Sequence, residues 1–410
     1  MSGPMRVCFV CSEYPPHPCG GIGRLTQLLA RGLVRAGHEA RVIGVYPLDD
    51  AAPDRQSDEG VQVWRLRSPG YRGGWLAARY RLYRTVRDWA RRGEVDLVEV
   101  PDYQGWAAGW GRLPVPLVAR LSGSGTYFAA EMGQAATRVT RWLERATLRR
   151  ADYWIAESRY VLAGTAHVFD LAPPAYTVLY NPVELPVQPA TARARNRVVF
   201  AGTLTAKKGV VALARAWPRV RARCPEAELH VYGRDGAYAG GSMREYLRSL
   251  MAADAEAGVQ FHGHVSLDEL HSVFRQARVA VLPSLAEGFA LTPLHAMAAG
   301  CPTIYTRRSS GPEVIEHGRD GLLIDPERPE TIAEAIVGVL EDDALAERLG
   351  RMGRARVEAQ FALETAGALN ERFYRWCRAD FVTVRAPAPH VDRALGVGPV
   401  PAPQGPEVAP

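Results

Sequence analysis

Lysine is nearly absent from this chain of 410 residues: among 50 basic side chains only Lys207 and Lys208 are lysines, and the others are arginines. A drift towards arginine, as a GC-rich bacterial genome drives it, leaves that adjacent pair as a candidate for a site needing a compact ammonium rather than a planar fork. Long apolar runs are lacking too, and none approaches the ~20 residues of a membrane-spanning helix. The opening MSGPMRVCFVCSEYPP has too short an apolar stretch for a secretion signal and meets Glu13 at once. Six cysteines are scattered along the chain, and Cys8 with Cys11 is the one CxxC. No second pair completes a zinc site, and strand residues three apart face opposite ways. Buried thiols in a reducing cytoplasm, with no resident metal or cofactor, are therefore expected. No motif repeats at solenoid spacing.

What is present describes a soluble globular protein, with 47% hydrophobic and 23% charged residues. The length exceeds one ordinary core, so two domains are expected. A net charge of +6 would permit nucleic-acid binding, but no recognition motif accompanies it, and nucleic acid is not an expected partner. Residues 5–11, MRVCFVC, read as a buried strand running into SEYPPHPCGGIGR and the helical pattern LTQLLARGLVRAG. Alone, GGIG fits either a tight turn or a phosphate cradle. In 65–92, Trp75, Ala78, Leu82, Val86 and Trp89 share one helical stripe with arginines on the other faces. That pattern suits a surface helix packed on its sheet. The segment 72–92 could also rest on an anionic membrane or line an acceptor channel. VDLVEVPDY, PVPLVARLSGSG and DYWIAES continue a doubly wound pattern of strands and helices. The stretch 184–196, rich in proline, alanine and arginine, reads as an exposed hinge.

A second strand–loop–helix series opens with RVVFAGTLTAKKGVVALARAW. His262 and His264 alternate on one strand face, as two metal ligands could, but no third ligand is spaced to join them, which favours sheet residues. The most informative stretch is 278–304, RVAVLPSLAEGFALTPLHAMAAGCPTI. It reads as a strand ending near Pro283, a loop carrying Glu287 and Gly288, a helix opening around Pro293 and ending at Gly300, and a further strand. A carboxylate beyond a strand end beside helix-start N–H groups is where open α/β sheets bind anionic ligands. Beyond residue 385 the composition is too rich in proline and glycine to pack.

EGFALTPLHAMAAGCP resembles the EGFGLTPxEAMAxGxP stretch of the family-4 retaining glycosyltransferases. Ala290 replaces a glycine there, and His295 replaces the second glutamate. GTLTAKKG is similar to the family's GRLxxEKG run, with Lys208 and Gly209 matching and Thr203 in the arginine's place. SSGPEVIEHGRDGLLIDP and TVLYNPVE also resemble family stretches. The resemblance implies an α/β GT-B fold, two Rossmann-like doubly wound domains facing across a cleft. Residues 1–185 would bind the acceptor and 196–365 the nucleotide sugar. Helix 366–385 would cross back onto the first domain, leaving 386–410 as a disordered proline-rich tail. The implied substrates are a UDP- or GDP-sugar and a small-molecule, natural-product or glycan acceptor. Glu287 and Lys208 would carry the chemistry. Gly20, Gly21, Thr203, Gly288, Phe289, Ala290, Leu291, Thr292 and His295 would hold the donor. Ser122 and Gly123 stand where the family places a histidine–glycine pair beside the reacting carbon. Lys207 is expected in solvent. Because Ser122, Thr203 and His295 depart from the family pattern, two other readings stay open: a catalytically reduced partner protein that binds nucleotide sugar, and a nucleotide-sugar epimerase. Donor base, acceptor nucleophile and oligomeric state stay undetermined.

Overall fold

Strands whose residues are apolar on both faces need cover on both faces, and helices in alternation with them supply it. A computed structural model of the chain describes residues 3–71, 73–186, 193–238, 240–251 and 253–383. The expected tail, 386–410, and the middle of the expected hinge, 187–192, lie outside them. Two compact units emerge. One comprises Met1–Pro182 with the chain from Leu363 onward, and the other Val183–Ala362.

In the first unit the strands are β1 (Arg6–Val10), β2 (Glu39–Tyr46), β3 (Arg55–Asp58), β4 (Val61–Arg67), β5 (Leu97–Pro101), β6 (Leu117–Leu121), β7 (Tyr153–Ala156) and β8 (Ala175–Val178). They form one eight-stranded sheet in the order β3-β4-β2-β1-β5-β6-β7-β8. All neighbours are parallel except β3 and β4. Its helices are α1 (Gly21–Arg35), α2 (Gly74–Arg91), α3 (Gly125–Glu131), α4 (Arg138–Arg150) and α5 (Arg159–Phe169).

The second unit holds β9 (Arg197–Ala201), β10 (Glu228–Tyr232), a hairpin of β11 (Ala237–Tyr238) and β12 (Gly241–Ser242), β13 (Val259–Gly263), β14 (Val279–Leu282), β15 (Thr303–Thr306) and β16 (Leu322–Ile324). Six of these make a parallel sheet ordered β13-β10-β9-β14-β15-β16. Around it lie α6 (Val210–Arg223), α7 (Met243–Ser249), α8 (Ala253–Glu256), α9 (Leu267–Gln276), α10 (Leu291–Ala298), α11 (Gly311–Val314), α12 (Pro329–Glu341) and α13 (Asp343–Gln360).

Helix α14 (Leu363–Thr383) belongs to the first unit. Its Phe373, Tyr374 and Cys377 share a core with Phe9, Leu29 and Ile155. A buried polar knot fastens it. Arg120 on β6 grips Glu99 at 2.7 Å and donates to Asn370 Oδ1 at 2.6 Å, and the Tyr374 hydroxyl donates to Glu99 at 2.6 Å. Each of these charges would be costly to bury without its partner.

No disulfide joins the cysteines, and burial pushes the thiols of Cys8 and Cys11 up to about 12, which makes both unreactive. His262 stacks on Tyr232 and on His230, with ring centroids 4.4 and 5.1 Å apart, as a sheet residue would. Among the described residues no helix is long and apolar enough to cross a membrane, and no group of three metal-ligating side chains occurs.

Candidate active site

Strand order reverses between β9 and β14 in the six-stranded sheet, and the chain leaving each of these neighbours turns away to its own side. The gap so formed is where α/β sheets hold ligands. Lys208 follows β9, and Glu287 follows β14. The two loops are drawn together by backbone: Leu285 N–H donates to the Lys207 carbonyl at 2.8 Å. Gly209 makes this approach possible. Its φ is +70°, and a Cβ there would lie 1.7 Å from the Pro283 carbonyl oxygen.

The result is an ion pair, with Lys208 Nζ 2.6 Å from Glu287 Oε1. Glu287 is 5% exposed, and its N–H donates to Ser309 Oγ at 3.2 Å. Burial alone would raise its pKa, but the ammonium groups of Lys208 and then Lys207 outweigh burial and hold the carboxyl below its ordinary value. Lys207 was expected in solvent and is instead half-buried, with burial lowering the pKa of its ammonium. Both ammonium groups therefore act on Glu287.

Beside Glu287, Gly288 and Phe289 are buried, and the Phe289 ring packs 5.6 Å from that of Phe361. Ala290 is the N-cap of α10, with no side chain capping the helix and no acidic residue in its first turn. The amides around Ala290, Leu291 and Thr292 thus start a helix whose positive end has no carboxylate of its own. Thr203 is exposed beyond β9. His295 sits one turn into α10, 6% exposed, with Nδ1 3.0 Å from Nε2 of His271 on α9. Sequence reading did not foresee that partner, because spacing along one helix says nothing of the helix beside it.

The first unit also has a reversal, between β1 and β5. Here the expected phosphate cradle is modified. Glu13 accepts from Gly20 N–H at 3.2 Å and Gly23 N–H at 2.7 Å, so a carboxylate of this chain occupies the start of α1. Gly21, next to them, is exposed. At the end of β6, Ser122 N–H donates to Asp102 Oδ1 at 3.1 Å, and the Ser122 hydroxyl donates to Glu157. Asn181 donates to the other Glu157 oxygen at 2.8 Å. Burial pushes Glu157 up to about 7, against the pull of Ser122, Asn181 and Arg120. Burial likewise raises Asp102 well above its ordinary value, with Glu144 and Glu157 adding to the shift. Gly123 follows with φ +94°. The strand ends thus bring two carboxyls to Ser122 that no motif announced.

In α2, Ala78, Leu82, Val86 and Trp89 are buried as the stripe predicts, but Trp75 is 47% exposed. It stands in the first turn and lines a cavity instead.

Similarity to known proteins follows the two units. Residues 19–186 match the family described as Glycosyltransferase Family 4, and residues 195–342 match Glycosyl transferases group 1. An uncharacterized glycosyltransferase of Methanocaldococcus jannaschii is 27% identical over 361 residues, 82% of this chain and 90% of that one. Glycogen synthase of Mycobacterium tuberculosis is 26% identical over 410 residues, covering 90% of this chain and 94% of the enzyme. Among solved structures, sucrose-phosphate synthase from Thermosynechococcus elongatus superposes with a TM-score of 0.77 at 22% identity, covering 92% of this chain and 100% of that one. Anabaena HepE in complex with UDP and glucose gives 0.70 at 18%, over 90% and 99%. Residues 19–186 and 195–342 thus each resemble a glycosyltransferase domain, and the chain has the GT-B fold.

Proposed function

We propose that the protein transfers a hexose from a nucleoside diphosphate sugar, UDP- or GDP-linked, to a small-molecule, natural-product or glycan acceptor in the cytoplasm, with retention of anomeric configuration. The observation that carries this reading is the Lys208–Glu287 pair at the sheet reversal, set beside the uncapped start of α10. In such a transfer the leaving diphosphate gains negative charge while the anomeric carbon becomes cationic. Fixed charges and N–H groups aimed at the diphosphate are the principal means of lowering that barrier. Lys208 supplies a full positive charge, with Lys207 reinforcing the local potential. The first-turn amides of α10 supply a helix start, and Thr203 offers a hydroxyl. Glu287, kept ionised by both lysines, would accept hydrogen bonds from sugar hydroxyls and stabilise positive charge at the anomeric centre. His295 would meet the ribose with one donor and one acceptor at most. No metal enters this scheme.

The test is incubation of the full-length chain with a panel of UDP- and GDP-sugars, with and without acceptors and with and without EDTA. Release of UDP or GDP coupled to a glycosylated product with the donor's anomeric configuration supports the reading. Binding without cleavage would make the protein a nucleotide-sugar-binding partner, and conversion of the donor to an isomer would make it an epimerase. Loss of turnover in EDTA would overturn the metal-free scheme.

A further inference from the structure

Two buried imidazoles meet at the seam between α9 and α10. His271 is 9% and His295 6% exposed, and Nε2 of the first lies 3.0 Å from Nδ1 of the second. The ring centroids are 5.0 Å apart with the planes tilted by 54°, so the rings are not stacked. The distance is that of a hydrogen bond from one ring nitrogen to the other. Phe274 of α9 and Ala296 of α10 belong to one core, which fixes the two helices against each other. His295 shares a face of α10 with Leu291, four residues earlier at the helix start. Helical side chains lean towards the N-terminus, which carries this imidazole towards the uncapped amides.

One of the two nitrogens donates and the other accepts, and the choice fixes both tautomers. If His271 donates from Nε2, then His295 accepts at Nδ1 and carries its own proton on Nε2. In the reverse arrangement both rings carry their protons on Nδ1. Neutral histidine intrinsically favours the proton on Nε2. The first arrangement gives both rings that form, and the second denies it to both.

The first arrangement sets what His295 can show to a ligand: one N–H, at Nε2, and no acceptor, since Nδ1 is taken. A carboxylate at this position would present two acceptor oxygens and could take both hydroxyls of a ribose. A site built on two such bonds rejects a sugar that lacks one hydroxyl, because a buried polar atom then goes unpaired. A single N–H needs a single oxygen. Ribose supplies two, and 2′-deoxyribose still supplies one.

We propose that His271 fixes His295 as a one-bond donor, and that the nucleoside pocket therefore takes 2′-deoxyribonucleoside diphosphate sugars as readily as ribonucleoside ones. The proposal rests on the reading of His295 as the ribose contact, and it widens the donor class to deoxynucleotides. His271 is here a positioning residue, acting on the ligand through His295.

The first measurement needs no ligand. Two-bond nitrogen–proton NMR spectra of the full-length chain with isotope-labelled histidine, assigned with His271→Gln and His295→Gln, should show both rings protonated on Nε2. A proton on Nδ1 of His295 would overturn the donor assignment. Calorimetry then compares UDP with 2′-deoxy-UDP and 2′,3′-dideoxy-UDP, and GDP with its two analogues. The first two should bind the wild type within about twofold of each other, and the dideoxy nucleotide about fivefold more weakly, as the loss of one hydrogen bond predicts. His295→Glu should create a preference, holding UDP about fivefold more tightly than 2′-deoxy-UDP. His271→Phe should leave His295 sampling both tautomers and weaken UDP binding about threefold. His271→Gln, whose amide N–H can donate to Nδ1, should restore the tautomer and the affinity. A wild type that already prefers UDP to 2′-deoxy-UDP by about fivefold would overturn the one-bond pocket. An unchanged tautomer and affinity in His271→Phe would overturn the positioning role. Failure of every nucleotide to bind would overturn the donor-site reading itself, whereas the tautomer, read on the free protein, stands or falls separately.

Discussion

The two sheets reverse their strand order in the same way, yet the two reversal points hold opposite chemistry. In the second unit the loops after β9 and β14 present lysines, a buried carboxylate and an uncapped helix start. In the first, the end of β2, the start of α2 and the loop after β5 present rings, and the helix start is already filled by Glu13. Topology therefore decides where a ligand goes, and loop side chains decide which ligand. One unit sets two lysines around one buried carboxylate, which leaves the loop net positive. The other has neutralised its own charges and offers surface instead.

The strongest way to break this contrast is to remove the charge. Lys208→Ala should cut donor turnover on the order of 10²-fold by taking a full charge from the leaving group. Lys207→Ala should cost less, about threefold to tenfold, since Glu287 keeps its 2.6 Å ion pair with Lys208 in that variant. Steady-state kinetics on both variants decides this, and equal losses would mean that the loop works only as a diffuse positive patch.

A second test asks whether the carboxyls of the first unit are truly held neutral. The folded-state pKa of Glu157, about 7, lies above its ordinary 4.5. The folded chain therefore binds that proton more tightly than the unfolded chain, and the associated stability is complete below pH 4.5. It is lost as pH rises through about 7, by up to ~3 kcal/mol. Glu157→Gln removes this dependence, so the variant should melt higher than wild type at pH 8 and lose that advantage by pH 5. Melting curves that stay parallel across this range would show that Glu157 titrates normally.

The smallest effect concerns His295. His295→Ala should weaken UDP binding by about 1 kcal/mol, the net worth of one hydrogen bond, and His295→Glu should bind as well or better. Should both variants lower the melting temperature and leave the dissociation constant alone, His295 serves only to join α10 to His271 on α9.

Much of the second unit's candidate site was legible because it is local. Glu287, the start of α10 and its end at Gly300 lie within one strand–loop–helix run, where spacing and helix signals report structure directly. Lys208 stood out through composition and motif. The burial of Lys207 did not, because it comes from Leu285 bonding back across the gap.

In the first unit the sequence by itself determined the strands, the helices and the doubly wound alternation, since period and apolar runs are properties of neighbouring residues. Only the tertiary structure decided what met at their ends. Sheet order sets β1 against β5, and so gathers the Glu13 and His17 loop and the Tyr103–Trp106 loop around one cavity. It likewise sets β5, β6 and β7 side by side and brings Asp102 and Glu157 to Ser122. No periodicity encodes such meetings. They follow from which strands pair, a choice made by burying apolar surface across the whole unit.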